Sequence, residues 1–303
     1  MKLSKLIELA TDNSRFRSLD EYVDFAKHYL EYIAVPENIQ AKIIAQNEYN
    51  YFFLQYDRNG DYQISRAINS DLFICADEFA DYIKFFNEII VQYPNYSPDQ
   101  ASRACVNRML YTMQQCLGAT LDALPPGQSN KARKLNGKLF ENLIMAFLKE
   151  INISAASESL AVPIIHNNKI LFTMKYQHDL MIKDQKGDVK VIGAIKTTSK
   201  DRIDKVFIDK LLYSKLTTTQ IYHVAIILND VQRKKTVINN KFSVASTFLP
   251  GRFKGYMIKL CPLDGVYYLD IRKSMQTDHQ LSEMIQTFDK FIFDDIPRFT
   301  TIL

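Results

Sequence analysis

Residues 178–209 constrain the fold of this chain more than any other segment, because they combine two β-type runs and a helix at short spacing. Asp179 opens the first apolar run, a turn containing Gly187 follows, and the second apolar run ends at Lys196. A helical pattern comes next, with Thr198 three residues before Asp201, which is typical of a capping box. Its apolar residues recur at helical spacing, at Ile203, Val206, Phe207 and Leu211. The segment therefore predicts two adjacent strands followed by a helix.

The two predicted strands bring chemically active side chains to one place. Because side chains alternate along a strand, positions 194 and 196 face the same side of the sheet. Magnesium takes oxygen ligands, usually only one or two of them protein carboxylates, and a nearby lysine can orient or deprotonate an attacking water. Asp179 and Lys196 suit these roles. A second acid would be suitably placed at position 194, on the same face as Lys196, but the residue there is Ala194. A helix before the strands can supply a further acid, and Glu141 is placed for that.

The chain reads as two parts separated by a linker. Apolar residues at helical spacing predict helices over most of the first 120 residues. Within that part, two β-type runs are joined across Asn59–Gly60, a dipeptide suited to a tight hairpin turn. Pro125, Pro126 and Gly127 then interrupt the helical pattern. We therefore predict a mostly helical domain at residues 1–124 and a second domain at residues 131–303.

The second part has the mixed pattern of an α/β domain. A helix is predicted for residues 136–151, and a final helix for residues 279–291. The uninterrupted apolar run of residues 220–228 is typical of a strand that is buried on both faces. Further β-type runs lie at residues 169–176, 255–260 and 266–271, and we predict that the last two form a hairpin.

The order of these features resembles the PD-(D/E)xK nuclease superfamily and, more narrowly, type II restriction endonucleases. Over residues 131–230, a helix with Glu141, a strand opened by Asp179, a turn, a strand ending at Lys196 and a helix led by TTSKDR follow one another. His178 stands where the motif has a proline, which contributes no ligand. The resemblance implies a restriction-endonuclease-like core, with a central mixed β-sheet flanked by helices, and a mostly helical N-terminal domain that contains a β-hairpin.

The resemblance also implies an activity, Mg²⁺-dependent hydrolysis of double-stranded DNA at a specific short site, with Mn²⁺ as a substitute metal. Asp179, together with an acid at position 194 in the active form, would hold the metal. Lys196 would assist the water, and Glu141 would be a supporting ligand. Restriction enzymes of this type usually act as homodimers, because two-fold symmetry matches a palindromic site. The N-terminal domain would contribute DNA contacts, dimer contacts or both.

Ala194 has three explanations at this stage, because a methyl group cannot bind a metal. The alanine is an inactivating replacement of an acid, or the fold has lost catalysis and only binds DNA. In the third explanation the second acid has moved to the following helix, as in some restriction enzymes related to this superfamily. Asp209 lies there, 13 residues after Lys196, and Asp204 is an earlier candidate.

Two basic runs are candidates for DNA binding. Lys200, Arg202, Lys205 and Lys210 cluster after the predicted site, and Thr198 and Ser199 precede them at the start of the helix. Side chains and a helix N-terminus at that place would lie along the phosphate backbone. A second run, on a predicted loop, consists of Arg233, Lys234 and Lys235. The alternative for each run is a solvated charge cluster.

Composition restricts the other possibilities only mildly. The net charge of +4 is too small to identify a nucleic-acid binder, and the four cysteines have no metal-site spacing and suit a reducing compartment. Charged residues interrupt the N-terminal apolar run, and no apolar run is long enough for a membrane helix. We therefore expect a soluble protein of the cytoplasm. The rival functions are a catalytically silent DNA-binding protein and a repair or recombination nuclease that recognises DNA structure.

Overall fold

The computed structural model describes residues 1–56, 64–95, 97–200, 202–217, 220–235 and 242–300. The α-helices are α1 (Leu3–Thr11), α2 (Leu19–Ala34), α3 (Ala76–Gln92), α4 (Gln100–Asp122), α5 (Ser129–Glu150), α6 (Ile203–Leu216), α7 (Pro250–Gly255), α8 (Lys273–Gln276), α9 (His279–Met284), α10 (Phe288–Lys290) and α11 (Ile296–Thr300). The strands are β1 (Ala41–Ile44), β2 (Tyr51–Gln55), β3 (Ile68–Asn69), β4 (Ala155–Ala156), β5 (Ser159–His166), β6 (Lys169–Gln177), β7 (Leu180–Lys183), β8 (Val189–Lys196), β9 (Tyr222–Ile227), β10 (Val231–Lys235), β11 (Phe242–Ser246), β12 (Gly265–Tyr268) and β13 (Gln286–Thr287). Helical turns of other types lie at Pro36–Asn38, Tyr256–Leu260 and Phe291–Asp295.

The chain divides into two compact units. The first unit comprises Met1–Ile151 together with Val231–Thr247, and the second comprises Asn152–Asp230 together with Phe248–Leu303. Helix α5 is therefore part of the first compact unit, although the predicted domains divide at the linker before it. The assignment of domains to residues 1–124 and 131–303 stays a prediction. None of the helices in the described ranges has the length and apolar character needed to span a bilayer.

The first unit is built around α4, in which every residue from Met109 to Leu121 is buried. The helix begins at Asp99, whose carboxylate accepts a hydrogen bond from the Ser102 backbone N–H at 2.8 Å. Strands β1, β2 and β3 form an antiparallel sheet, and β10 pairs with β11. The predicted turn at Asn59–Gly60 lies outside the described residues.

The second unit contains a six-stranded mixed sheet with the strand order β13-β12-β9-β8-β7-β4. The pairs β8–β9, β9–β12 and β12–β13 are parallel, whereas β7 pairs antiparallel with β8 and with β4. Helices accompany this sheet, so the predicted fold class, a central mixed sheet flanked by helices, is confirmed. The buried strand predicted at residues 220–228 is β9, and five of its six residues are fully buried.

The β7–β8 hairpin forms where the sequence predicted two strands and a turn. Gly187 has a φ angle of +86°, which a glycine adopts without steric cost. The Asp184 carboxylate accepts hydrogen bonds from the backbone N–H groups of Lys186 and Asp188, both at 2.9 Å, and so closes the turn. Gly193 allows a close approach of three strands, because a Cβ atom there would lie 3.0 Å from Val224 and 3.1 Å from Leu180.

Helix α6 packs on one face of this sheet. Phe207 is fully buried and belongs to an apolar cluster with Ala225 and Ile227 of β9 and Tyr268 of β12. Ala194 and Lys196 pair with Ala225 and Ile227 in the parallel register of β8 and β9, so the four side chains share a face. Helix α6 therefore covers the face on which positions 194 and 196 lie.

Several elements differ from the predictions. Residues 255–260, predicted as a strand, are helical, and β12 pairs with β9 in place of the predicted late hairpin. The predicted helix of residues 279–291 is divided, because β13 lies between α9 and α10. Strand β5 was not predicted, although its partner β6 was.

Candidate active site

The end of β8 lies beside the residue that precedes β7. Leu180 pairs with Gly193, so the same register continued by one residue places Asp179 beside Ala194. The Asp179 Oδ2 atom accepts a hydrogen bond from the Ile195 backbone N–H at 2.9 Å and another from the Lys196 ammonium group. The Asp179 and Lys196 side chains are 23% and 27% exposed, so this ion pair can be reached from solvent. The structure thus brings together the two residues on which the predicted chemistry depends.

Asp179 has the chemistry that a magnesium site requires. Its second oxygen, Oδ1, makes no hydrogen bond to any residue in the described ranges. Because the Asp179 side chain is partly exposed, this Oδ1 atom can coordinate a cation. No group of three or more His, Cys, Asp and Glu side chains suited to a metal occurs among the described residues. A magnesium site does not need such a group, because water and substrate phosphate usually complete its coordination shell.

Asp209 lies on α6, the helix that packs over the face of positions 194 and 196. Its carboxylate forms an ion pair with Lys205 and is 24% exposed. Burial lowers the pKa of His178, and the Asp209 carboxylate opposes that decrease, with smaller effects from Lys205 and Asp179. The two carboxylates therefore act on the same imidazole ring, which precedes Asp179 in the chain. Asp204 is directed elsewhere, since it pairs with Arg252 of α7 at 3.3 Å.

The loop between β8 and α6 is anchored by Asp230. The Asp230 Oδ1 atom accepts hydrogen bonds from the Thr198 hydroxyl at 2.7 Å and from the Ser199 backbone N–H at 2.8 Å. Its Oδ2 atom accepts a hydrogen bond from the Tyr268 hydroxyl at 2.7 Å. Asp230 is 1% exposed and Ser199 is 3% exposed. Thr198 and Ser199, predicted to bind DNA, therefore interact with the protein interior here, and their DNA contacts stay a prediction.

Asp230 was missed in the sequence. The available signal was an acid two residues after the apolar run that contains β9, a position that lies close to the carboxyl end of the parallel strand β8. Local patterns do not indicate its partners, because Thr198 and Tyr268 are 32 and 38 residues away in the chain.

The other predicted DNA-binding residues occupy two different surfaces. Lys200, Arg202 and Lys205 are exposed at the start of α6. Arg233, Lys234 and Lys235 lie in the first unit on strand β10, so their predicted placement on a loop is wrong. Within that unit, Arg233 donates a hydrogen bond to the Ile64 backbone carbonyl at 2.7 Å.

Two further residues singled out in the sequence are Lys210 and Glu141. Lys210 forms an ion pair with Asp264 at 2.6 Å in the second unit. Glu141 is half-buried on α5 in the first unit, and its role as a supporting ligand stays a prediction.

Comparison with solved structures identifies the fold. The crystal structure of the type IIP restriction endonuclease Kpn2I matches with a TM-score of 0.71 and 20% identity, over 98% of this chain and 97% of that chain. A complex of the restriction endonuclease PspGI with its substrate DNA matches with a TM-score of 0.45 and 12% identity, over 72% of this chain and 92% of that chain. No family model matches the sequence, and no curated protein matches it. The chain has a restriction-endonuclease-like fold, which rests on the first of these matches.

Proposed function

We propose that this chain is a type II restriction endonuclease that hydrolyses double-stranded DNA at a specific site with Mg²⁺ as its metal. The observation that carries the proposal is the contact between Asp179 and Lys196 at the adjoining ends of β7 and β8. The shared fold with Kpn2I, a type IIP restriction endonuclease, supports it independently.

We assign the second metal-binding acid to Asp209. Helix α6 covers the face on which Ala194 and Lys196 lie, and the Asp209 carboxylate influences the same imidazole as Asp179. A carboxylate from α6 can therefore replace the one that Ala194 lacks, and Ala194 need not be an inactivating replacement. Glu141 keeps its proposed place as a supporting ligand.

The chemistry follows from these assignments. A divalent cation, when bound, activates water and offsets charge on the phosphate. Asp179 and Asp209 would hold that cation through carboxylate oxygens. Lys196 would donate hydrogen bonds to the attacking water or to a phosphate oxygen, where its charge opposes the negative charge that develops. The water would lose a proton to solvent as its oxygen bonds to phosphorus, the bond from phosphorus to the leaving oxygen would break, and that oxygen would take up a proton from solvent to give an alcohol.

Two further assignments belong to the proposal. Lys200 and Arg202 are exposed beside the site, and they would contact the DNA backbone. The active form would be a homodimer, because two active sites related by a two-fold axis can cut both strands of a palindromic site.

The test is cleavage of a long duplex by the purified chain with Mg²⁺ or Mn²⁺, and with a chelator as the blank. We expect discrete fragments, and we expect Lys196→Ala to reduce the cleavage rate roughly 100-fold or more while DNA affinity stays nearly unchanged. The matched control is Lys190→Ala, on the same strand, where the lysine pairs with Asp184 at 3.2 Å. That control should cut like the parent.

Each rival function has its own outcome in this experiment. Tight binding without cleavage, by the parent chain and also by the Ala194→Glu variant, would identify a silent DNA-binding protein. Cutting that occurs only at junctions, flaps or ends would identify a structure-specific nuclease. A large loss of DNA affinity in Lys196→Ala would assign that lysine to binding or to structure instead of to the reaction.

A further inference from the structure

Strands β5 and β6 form an antiparallel hairpin that pairs with no other strand in the described ranges. Asn167 and Asn168 connect the strands, with φ angles of 49° and 59°, as expected for a two-residue hairpin turn. The inner half of the hairpin is packed, because Val162, Leu160 and Tyr176 belong to a cluster with Ile192 of β8 and Tyr213 of α6. An isolated two-stranded hairpin is marginally stable in water, so this packing holds it in place.

The outer half of the hairpin is apolar and uncovered. Large apolar side chains there are 57–65% exposed, namely Ile165, Ile170, Leu171 and Phe172. We call these four residues the apolar knob. Phe172 pairs with Ile164 and Ile170 pairs with Ile165, and consecutive residues of β5 point to opposite faces, so apolar side chains extend from both faces. Such a concentration within eight residues is typical of an interaction site.

The chemistry of the hairpin indicates a protein partner. Residues 159–177 contain no acid, and their lysines are Lys169 and Lys175. Protein–DNA interfaces are much more polar and positive than this surface, whereas the centre of a protein–protein interface is apolar and depleted of charge. An uncovered apolar knob with two lysines therefore suits a protein surface better than a nucleic-acid groove.

We propose that the apolar knob is the surface through which two copies of this chain associate. The inference rests on the proposed function in one respect, because cutting both strands calls for two copies. Complete covering of the four side chains would remove roughly 500 Å² of surface per copy, so a two-fold contact through the knob alone would bury at most about 1,000 Å², the lower limit for a specific interface. Ile208 and Leu212 of α6, 54% and 37% exposed, lie on the helix that contacts β5 and can extend this surface.

The test is sedimentation of the full chain without DNA. We expect the parent to be a dimer, and we expect Phe172→Glu to weaken its association roughly 100-fold, because a charge would be buried against an apolar surface. Val91→Glu is the matched control, since Val91 is 82% exposed on α3 and lies outside the knob. It should sediment like the parent. Ile170→Ser, which introduces no charge, should weaken the dimer in the same direction, with an unchanged circular dichroism spectrum.

Two outcomes would overturn the inference. One is a parent that is monomeric at about 100 µM, and the other is a Phe172→Glu variant that stays dimeric. If that dimeric variant also loses DNA affinity, the knob contacts DNA. Failure of the proposed function gives a different result, because a dimer that cuts no DNA, either as the parent or as Ala194→Glu, would contradict the nuclease and leave the knob as the dimer contact. A monomer that cuts DNA would support the nuclease and contradict the knob as the dimer contact.

Discussion

Tyr268→Phe tests the anchor that holds the loop after Lys196. Tyr268 is completely buried, and its hydroxyl donates a hydrogen bond of 2.7 Å to Asp230, which is 1% exposed. Burial and the neighbouring Asp230 carboxylate raise the pKa of Tyr268 well above its usual value, so the hydroxyl keeps its proton and acts as the donor. Phenylalanine preserves the ring that packs with Phe207 and Ile227. It removes the hydrogen bond to Asp230 and the contact of the same hydroxyl with the Ser199 side chain.

The expected magnitude is set mainly by the hydrogen bond to the charged Asp230 carboxylate. A hydrogen bond to a charged group contributes about 1.5–3 kcal/mol, and the ring leaves almost no cavity behind. The Asp230 carboxylate keeps its two donors on Oδ1, from Thr198 and Ser199. We therefore expect Tyr268→Phe to lower the free energy of unfolding by about 2 kcal/mol. The amide of Ser199 should also exchange faster with deuterated solvent, because the carboxylate that accepts its hydrogen bond is less constrained.

The assay is urea unfolding followed by circular dichroism, since the chain contains no tryptophan. Tyr222→Phe is the matched control in the same unit. The Tyr222 ring stacks on Phe299 at a centroid distance of 4.1 Å, and its hydroxyl makes no hydrogen bond within the described ranges. The control should change the free energy of unfolding by less than about 0.5 kcal/mol. Equal unfolding midpoints and equal Ser199 exchange in the two variants would refute the anchoring role of Asp230.

Two further changes test charges in the second unit. Burial lowers the pKa of His223 to about 4, so protons bind the unfolded state first and stability falls as the pH decreases from about 6.5 to about 4. The His223→Asn side chain can still donate a hydrogen bond to the Ile221 carbonyl, but it does not bind a proton in this pH range. We expect this variant to lose about 3 kcal/mol less of its free energy of unfolding over that pH range, measured by urea unfolding at several pH values. A variant with the same pH profile as the parent would contradict this role of His223. Neutralising Lys200 and Arg202 should reduce the slope of log affinity for DNA against log salt by roughly 2, and an unchanged slope would remove both from the interface.

The fold was predictable where local pattern and burial agree. Alternation and the turn at Gly187 predicted β7 and β8, and an uninterrupted apolar run predicted β9. Residues 255–260 were mispredicted because six residues fit the periods of a strand and of a helix equally well, and the helix begins earlier, at Pro250. Strand β5 was missed since Pro163 lies inside it, and proline argues against a central strand. The strand tolerates this proline because it is not part of the central sheet.

The site was predictable only in part. Asp179 and Lys196 come together because register is a local property of a hairpin. The environment of Asp209 depends on tertiary packing, which the helical pattern did not predict. That pattern placed the buried side of α6 at Ile203, Val206, Phe207 and Leu211. Phe207 is buried, and Ile203 and Val206 are partly buried against the same apolar cluster. The pattern did not predict Tyr213, which packs with residues of β5, so a second contact widens the covered side of α6 and Asp209 is only 24% exposed.

Combined replacements at positions 194 and 209 distinguish two explanations of Ala194. In one, Asp209 supplies the second acid, and in the other, the alanine is an inactivating replacement. If Asp209 is the second acid, Asp209→Asn should reduce single-turnover cleavage roughly 100-fold or more. Adding Ala194→Glu to that variant should restore part of the rate, because residue 194 shares a face with Lys196 and lies beside Asp179. Asp188→Asn, at an acid with a 68% exposed side chain, is the control and should cut normally. If Ala194 is an inactivating replacement, the parent should be inactive and Ala194→Glu alone should create cleavage. Asp209→Asn should then leave the rate of that active variant unchanged, which is the opposite of the result we expect.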